Sequence, residues 1–268
     1  MNLKKIAAAV ISAAALSSTA FAAPTITNVD GTLSPFGGFD WASGGAAFTS
    51  GFTAVAGSTF TLYYASWAGL ITDTTGGSLY APKLDTNPNG TPITTGAYEY
   101  TIFGTIQEKV VSCTLNTCTF QVTGGAFDIY YDTTANAKTV SNGAWTGFTN
   151  GTKILSGTVN VGGASQSFSN TTGGQAALDG TVTYTNSTYV NPAMVGTNLT
   201  STLQLSTAVT NFSPPTSIDG TTVGANQIVF QADSNQTFTG RVPEPAGLAL
   251  VGLALAGCGL MSRRRKAA

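Results

Sequence analysis

Histidine is absent from this chain of 268 residues, and Asp, Glu, Lys and Arg together make up only 9% of it, against roughly 25% in an average soluble protein. The absence of histidine excludes Ser-His-Asp triads, imidazole general bases and histidine ligands for metals. The scarcity of charge argues against long exposed helices, because these depend on ion pairs along their surface. Hydrophobic residues still account for 42% of the chain, enough to fill a core, so the composition also argues against disorder.

The few charged residues are unevenly distributed. The formal net charge is -1, but Lys4 and Lys5 lie at one end of the chain and a basic cluster lies at the other. Between Ala23 and Arg241 five basic residues stand against eleven acidic ones, a net charge of -6. Binding to nucleic acid requires basic residues that neutralise phosphates, so no nucleic-acid partner is expected.

The first 22 residues are typical of a secretory signal peptide. A basic start at Lys4 and Lys5 precedes an apolar run from Ile6 to Leu16, and the small-residue signature Ala20-Phe21-Ala22 follows. We predict cleavage after Ala22, which makes Ala23 the first residue of the mature chain. The alternative is a short buried helix, but no amphipathic pattern accompanies the apolar run.

The end of the chain contains three features in a fixed order. They are Val242-Pro243-Glu244-Pro245, the apolar stretch from Ala246 to Met261, and Arg263-Arg264-Arg265-Lys266. A helix of sixteen residues is about 24 Å long, slightly shorter than a hydrocarbon core of roughly 30 Å. The sequence therefore predicts a marginal transmembrane helix whose basic end stays cytoplasmic, preceded by a segment that the prolines hold extended.

This arrangement resembles the PEP-CTERM sorting signal over Val242 to Ala268. The resemblance implies recognition by an exosortase-type membrane protease in a Gram-negative bacterium that makes extracellular polysaccharide. The tail would be removed near Pro243 to Pro245, after export across the inner membrane and transient anchoring by the C-terminal helix. A C-terminal anchor that is never processed is the alternative.

The middle of the chain, residues 23–241, is predicted to be one exported domain between the signal peptide (1–22) and the sorting tail (242–268). Alternating apolar and polar residues predict strands, separated by turn clusters rich in Gly, Asn and Thr. Examples are Phe60–Tyr64, Tyr98–Phe103, Phe127–Tyr131, Thr181–Tyr184 and Leu203–Leu205. Many strands without helical periodicity favour an all-β fold, an antiparallel β-sandwich or a barrel-like domain.

Two of the three cysteines are close in sequence. Cys113 and Cys118 frame Thr-Leu-Asn-Thr within a stretch whose flanks are typical of strands. If the two central residues form a tight turn, Thr114 faces Thr117 and Cys113 faces Cys118 in a non-hydrogen-bonded pair. Export into an oxidising compartment then favours a disulfide. A redox-active pair or a metal site is a weaker interpretation, since no basic residue or histidine lies nearby.

The sequence does not define a catalytic or metal site. Acidic pairs suited to glycoside hydrolysis could meet in space, for example Glu99 with Glu108 or Asp128, but exposed strand positions explain these residues equally well. Asp128, Asp132 and Asn136 supply oxygen donors without the spacing of a calcium loop. We therefore expect no catalytic residue, no metal and no cofactor, and we do not expect an enzyme.

The aromatic residues allow two interpretations. They could form a platform on which sugars stack, but in β proteins such residues more often fill the core. The residues in question are Trp41, Trp67, Trp145, Tyr63, Tyr64, Tyr130 and Tyr131. We favour the core.

A second resemblance covers four segments of the middle, which are similar to the flocculation-associated group of PEP-CTERM proteins. These segments are Phe36–Trp41, Gly125–Asp132, Gly147–Leu155 and Phe230–Asn235. The resemblance implies a role in floc or biofilm formation with exopolysaccharide, at the cell surface or in the extracellular matrix. The leading hypothesis is a structural or adhesive matrix protein with extracellular polysaccharide as its partner. A carbohydrate-binding module and a carboxylate-dependent glycan hydrolase are the alternatives.

Overall fold

Strand β5 (Glu99–Thr114) shows why this sequence forms strands. Tyr100, Ile102, Ile106 and Val110 are buried on one side, whereas Gln107, Lys109 and Val111 in the second half of the strand are exposed on the other. Successive side chains of a strand point to opposite faces, so this alternation buries one face of the strand and leaves the other in solvent. Aromatic and β-branched residues suit the buried face.

The computed structural model describes residues 23–87, 92–115, 117–162, 166–169, 172–207, 212–224 and 227–239. These residues form strands and no helix, which confirms the all-β prediction. The predicted signal peptide (1–22) and the predicted sorting tail (242–268) lie outside the described residues. The strands are β1 (Thr25–Asn28), β2 (Gly31–Leu33), β3 (Phe36–Ser50), β4 (Thr59–Asp73), β5 (Glu99–Thr114), β6 (Thr117–Asp132), β7 (Thr139–Ser141), β8 (Ala144–Thr146), β9 (Thr152–Val159), β10 (Gln166–Ser169), β11 (Gly173–Thr185), β12 (Val190–Asn191), β13 (Asn198–Ser206), β14 (Ser217–Ile218), β15 (Thr221–Thr222) and β16 (Val229–Thr239).

The nine-stranded sheet of the described chain closes into an antiparallel barrel. Its order is β10, β11, β13, β16, β3, β4, β5, β6, β9, and the ring closes because β10 also pairs with β6 and β9 also pairs with β11. The first residues of β6 and β11 pair with β10, and later residues of both pair with β9. Closure gives both sides of these strands a hydrogen-bonding partner over much of their length.

Aromatic and aliphatic side chains fill the barrel, and its two ends differ. At one end, called here the tyrosine end, Tyr98, Tyr100 and Tyr131 pack together with ring centroids 5.2 to 5.7 Å apart. The small sheet of β12, β1 and β2 adds Ile26 and Val190 to this core. At the opposite end, called the phenylalanine end, the inward side chains are Phe52, Phe60, Phe120, Phe168 and Phe230.

An outer layer covers one side of the barrel. Strands β15, β14, β8 and β7 form a four-stranded sheet within the described residues, and Trp145 of this layer belongs to the same buried cluster as Trp67 of the barrel wall. Lys138 Nζ lies 5.1 Å from the Trp67 ring centre and 4.7 Å from that of Trp145. Burial lowers the pKa of Lys138. The two indole rings therefore hold a partly desolvated ammonium group between the layers.

The predicted core position of the aromatic residues is confirmed for the tryptophans. Trp41, Trp67 and Trp145 are at most 3% exposed, and Tyr64 and Tyr131 are 5% exposed. Tyr63 and Tyr130, the other two residues of the set, are only partly buried. The Tyr63 ring stacks on Phe48 at 4.9 Å, and the Tyr130 hydroxyl donates to Asp128.

Candidate functional site

Both ends of the described domain leave the barrel beside Phe36. The carbonyl of Pro24 accepts a hydrogen bond from the Phe36 amide at 2.6 Å, and the ring of Phe238 lies 5.7 Å from the Phe36 ring. Strand β16 ends at Thr239, three residues before Val242 in the sequence. The first and last strands of the described domain thus have neighbouring ends in space, at Pro24 and Phe238, although more than 200 residues separate them.

One side of the barrel is covered by polar side chains, most of them uncharged, and we call it the polar face. It consists of outward positions on three adjacent strands, β11, β13 and β16. Its members are Gln175, Asp179, Thr181, Asn198, Thr200, Thr202, Gln204, Asp233, Asn235, Thr237 and Thr239. They form rows across the strands, because Thr200 lies between Asp179 and Thr237, and Gln204 lies between Gln175 and Asp233. Neighbouring strands lie about 4.8 Å apart, so each row is a closely spaced line of hydroxyl, amide and carboxylate groups.

At the edge of the polar face, Asp233 of β16 lies near Asp40 of the adjacent strand β3, and the two form an acidic pair. Partial burial raises the pKa of Asp40 and of Asp233, and the charge of Asp233 raises that of Asp40 further. The strands are irregular at this point, since the register shifts between Ala232 and Ser234. Sequence patterns gave no sign of this pair, because the two residues lie almost 200 positions apart.

The three acidic residues that could have formed a hydrolytic pair do not come together. Glu99 and Glu108 lie on the same strand, nine residues apart and with side chains on opposite faces. Nine residues of strand correspond to about 30 Å. Asp128 faces outward from β6, opposite Phe103. Retaining and inverting glycosidases hold their carboxyl groups roughly 5 to 9.5 Å apart. Neither Glu99 with Glu108 nor Glu99 with Asp128 has this geometry, because Asp128 pairs with Phe103, which lies about 13 Å along the strand from Glu99.

Each of these carboxylates has a different environment. Glu99 is fully buried, and its Oε1 accepts hydrogen bonds from the amides of Asn136 and Ala137 at 3.0 and 2.9 Å. Burial raises the pKa of Glu99 to about 8, against the lowering effect of these amides. Burial alone raises the pKa of Glu108 to about 7. Glu99 therefore fixes the loop that leads into the outer layer, while Glu108 has no comparable partner among the described residues.

The oxygen donors considered for calcium are engaged elsewhere. Asp128 forms an ion pair with Lys153 at 2.8 Å and accepts a hydrogen bond from Ser156 at 2.6 Å. Asp132 accepts from the Thr134 amide at 2.7 Å, and Asn136 accepts from Asn150 at 3.0 Å. Among the residues that the structure describes, no group of three or more acidic or cysteine side chains is placed to hold a metal ion.

The predicted disulfide is present. Cys113 and Cys118 are bonded, with their Cα atoms 4.0 Å apart. Cys113 pairs with Cys118 and Thr114 with Thr117, as the hairpin predicted. Leu115 has a φ of 47°, which suits the first central residue of a type I′ turn. The bond closes the far end of the long β5–β6 hairpin, at the phenylalanine end.

Replacing both cysteines by serine is expected to lower the free energy of unfolding by about 2 kcal/mol, because the closed loop is very short. Urea unfolding of the oxidised protein and of the double variant measures this difference. A hairpin control, Thr114→Ser with Thr117→Ser, should unfold near the wild-type midpoint. Equal midpoints for the cysteine variant and the wild type would contradict a stabilising role for the bond.

The spanning helix predicted over Ala246 to Met261 is not supported by the structure. The described residues contain no helix that is long and apolar enough to cross a membrane, and the stretch itself lies outside them. The cleavage position after Ala22, the sorting motif from Val242 to Pro245 and the basic cluster from Arg263 to Lys266 also lie at or beyond the edges of the described residues. These sites stay predictions from the sequence.

Comparison with known families finds one match. Residues 241–266 match the PEP-CTERM protein-sorting motif, while the flocculation-associated group receives no support. Comparison with curated proteins and with solved structures gives no match. The chain therefore carries a PEP-CTERM sorting signal, which implies export, transient anchoring in the membrane and cleavage by an exosortase, itself a membrane protein.

Proposed function

We propose that this protein is a non-catalytic component of the cell surface or extracellular matrix, which promotes flocculation or biofilm formation by binding exopolysaccharide. The polar face is the observation that supports this role most directly. It presents hydroxyl and amide groups on a rigid barrel wall, attached to a domain whose tail carries a secretion and sorting signal.

The chemistry of the polar face suits neutral sugars. Sugar hydroxyls both donate and accept hydrogen bonds, and the Thr, Asn and Gln side chains of this face offer both capacities. Ordered water can bridge groups that do not meet directly, so a regular sugar chain does not have to match every row. With 9% charged residues in the whole chain, many copies can pack closely within a matrix without strong mutual repulsion.

The proposal is tested by deleting the protein and comparing cell aggregation with polysaccharide yield. Cells are expected to disperse while they still make polysaccharide, because the assigned role is to hold the polymer and not to synthesise it. Loss of polysaccharide together with aggregation would contradict the proposal, as would normal aggregation in the deletion strain.

A matched pair of variants tests the polar face itself. The polar-face variant replaces Thr200, Thr202 and Asn235 by alanine. The control variant also introduces three alanines, at Gln107, Gln121 and Thr123 on the exposed side of β5 and β6. Loss of several hydrogen bonds should weaken co-sedimentation with the purified exopolysaccharide roughly tenfold or more for the first variant. The control should bind like the wild type. Equal binding by both variants would rule out the polar face as the binding surface.

The hydrolase alternative has a direct readout in the same samples. If the purified protein shortens the polysaccharide, an enzymatic role replaces the structural one. The acidic pair beside the polar face would then be examined by Asp40→Asn and Asp233→Asn, since its members interact and their pKa values are raised. Unchanged polymer length after prolonged incubation agrees with the non-catalytic proposal.

A further inference from the structure

The phenylalanine end of the barrel contains an apolar cavity of about 80 Å³. Phenylalanine rings line it from several strands, together with Leu62, Leu205 and Ile228. An apolar cavity of about 150 Å³ is large enough to admit benzene. The space here suits a smaller molecule, with a chain of about four or five non-hydrogen atoms.

A single ionisable side chain, Glu108, lies among the described residues that line this cavity. It occupies an inward position of β5 between Ile106 and Val110, and it is 2% exposed. Leu62 and Phe60 of β4 and Val122 of β6 surround this part of the strand, and none of them carries a charge. Within the described part of the chain, the cavity therefore contains an acidic group without a basic side chain in its lining.

Glu108 contributes little to the fold in this position. Burial of a carboxylate is unfavourable unless hydrogen bonds or an opposite charge compensate it. Glu99 has such compensation in the amides of Asn136 and Ala137, whereas loss of hydration is the sole cause of the pKa shift of Glu108. An aliphatic residue at position 108 would fill the barrel more favourably, so the carboxyl group points to a ligand.

The cavity is accessible from outside the barrel. Leu115 lines it and is fully exposed at the tip of the β5–β6 hairpin. Val111, on the same hairpin, and Val55, in the loop that bonds to Val110, are also exposed. The ends of the described domain, Pro24 and Phe238, lie beside Phe36, away from this hairpin tip.

We propose that this cavity binds a small organic ammonium ion, with the ammonium group against the Glu108 carboxylate and the alkyl part among the phenylalanine rings. The ammonium donates charge-assisted hydrogen bonds to the carboxylate, and the faces of aromatic rings attract cations. The alkyl chain gains from removal of its apolar surface from water. This site is independent of the polysaccharide-binding role proposed above.

Binding should depend on pH because the ligand competes with a proton for Glu108. The pKa of this carboxyl group is raised to about 7, while an alkylammonium ion stays protonated up to about pH 10. As the pH is raised towards 7, the affinity is therefore expected to increase about tenfold per pH unit. Above pH 7 it should level off.

The probe is n-butylammonium, titrated into the secreted protein by calorimetry or by NMR at pH 5, 6, 7 and 8. Saturable binding is expected at pH 8. We expect it to be at least about tenfold weaker for Glu108→Gln and unchanged for Asp128→Asn, which alters an outward carboxylate. The neutral analogue n-butanol should bind the wild type more weakly than n-butylammonium.

Four results would overturn the proposal. They are no saturable binding, equal affinity for n-butanol and n-butylammonium, affinity independent of pH, and full affinity in Glu108→Gln. The pH profile is measured on the wild-type protein, so it remains decisive if the glutamine variant does not fold.

Discussion

Replacement of Glu244 and both adjacent prolines by alanine is expected to leave the protein at the membrane and to abolish its release. The sorting motif lies at residues 241–266. The change removes the Pro-Glu-Pro residues on which we expect recognition by the exosortase to depend, while it keeps the apolar stretch and the basic cluster. The variant should remain in the membrane fraction as a chain that retains Arg263 to Lys266. Aggregation of the cells should fall although the barrel is intact.

Intact-mass measurement and cell fractionation decide this prediction. The released wild-type protein should begin at Ala23 and end near the Pro-Glu-Pro motif. A matched control with Ala267→Ser and Ala268→Ser changes two residues beyond the matched motif and should be released normally. Released wild-type protein that retains the basic cluster would contradict processing, and normal flocculation by the triple variant would separate sorting from function.

A fall in stability from mildly acidic to mildly basic pH is the second large effect that we expect. Glu99 has a pKa of about 8 in the folded protein and Glu108 one of about 7, whereas glutamate in an unfolded chain has a pKa near 4.3. Between these values the folded protein binds more protons than the unfolded chain. The free energy of unfolding therefore decreases as the pH rises from about 4.5 to about 8, by an amount on the order of a few kcal/mol.

Urea unfolding at pH 5, 6, 7 and 8 measures this dependence. Glu99→Gln should remove most of the decrease between pH 7 and pH 8, where Glu108 is largely ionised, and should make the decrease below pH 7 shallower. Glu99→Ala should unfold at lower urea at every pH, since it leaves the amides of Asn136 and Ala137 without their acceptor. Asp179→Asn, an exposed change on β11, serves as the control. A wild-type stability that is constant over this range would contradict the prediction.

Local features of the sequence account for much of what could be predicted. The alternation in β5 and the turn between Cys113 and Cys118 involve neighbouring residues, so their outcome depends on short-range geometry that sequence patterns reveal. Burial of Trp41, Trp67 and Trp145 follows from the large apolar area of indole rings. The alternation Tyr100, Ile102, Ile106, Glu108, Val110 could also have identified Glu108 as an inward acid, since it places a carboxylate in the apolar phase of the strand.

The sequence by itself therefore determined the all-β class, the disulfide hairpin and the sorting tail, because each depends on residues that are close together in the chain. The tertiary structure alone decided the closure of the barrel. In the closed barrel β3 pairs with β16, although the two strands lie near opposite ends of the domain's sequence. It also decided that β11, β13 and β16 form one polar face, and that Asp40 and Asp233 lie close to each other. Pairing between distant strands depends on the packing of the whole core, and no local pattern specifies it.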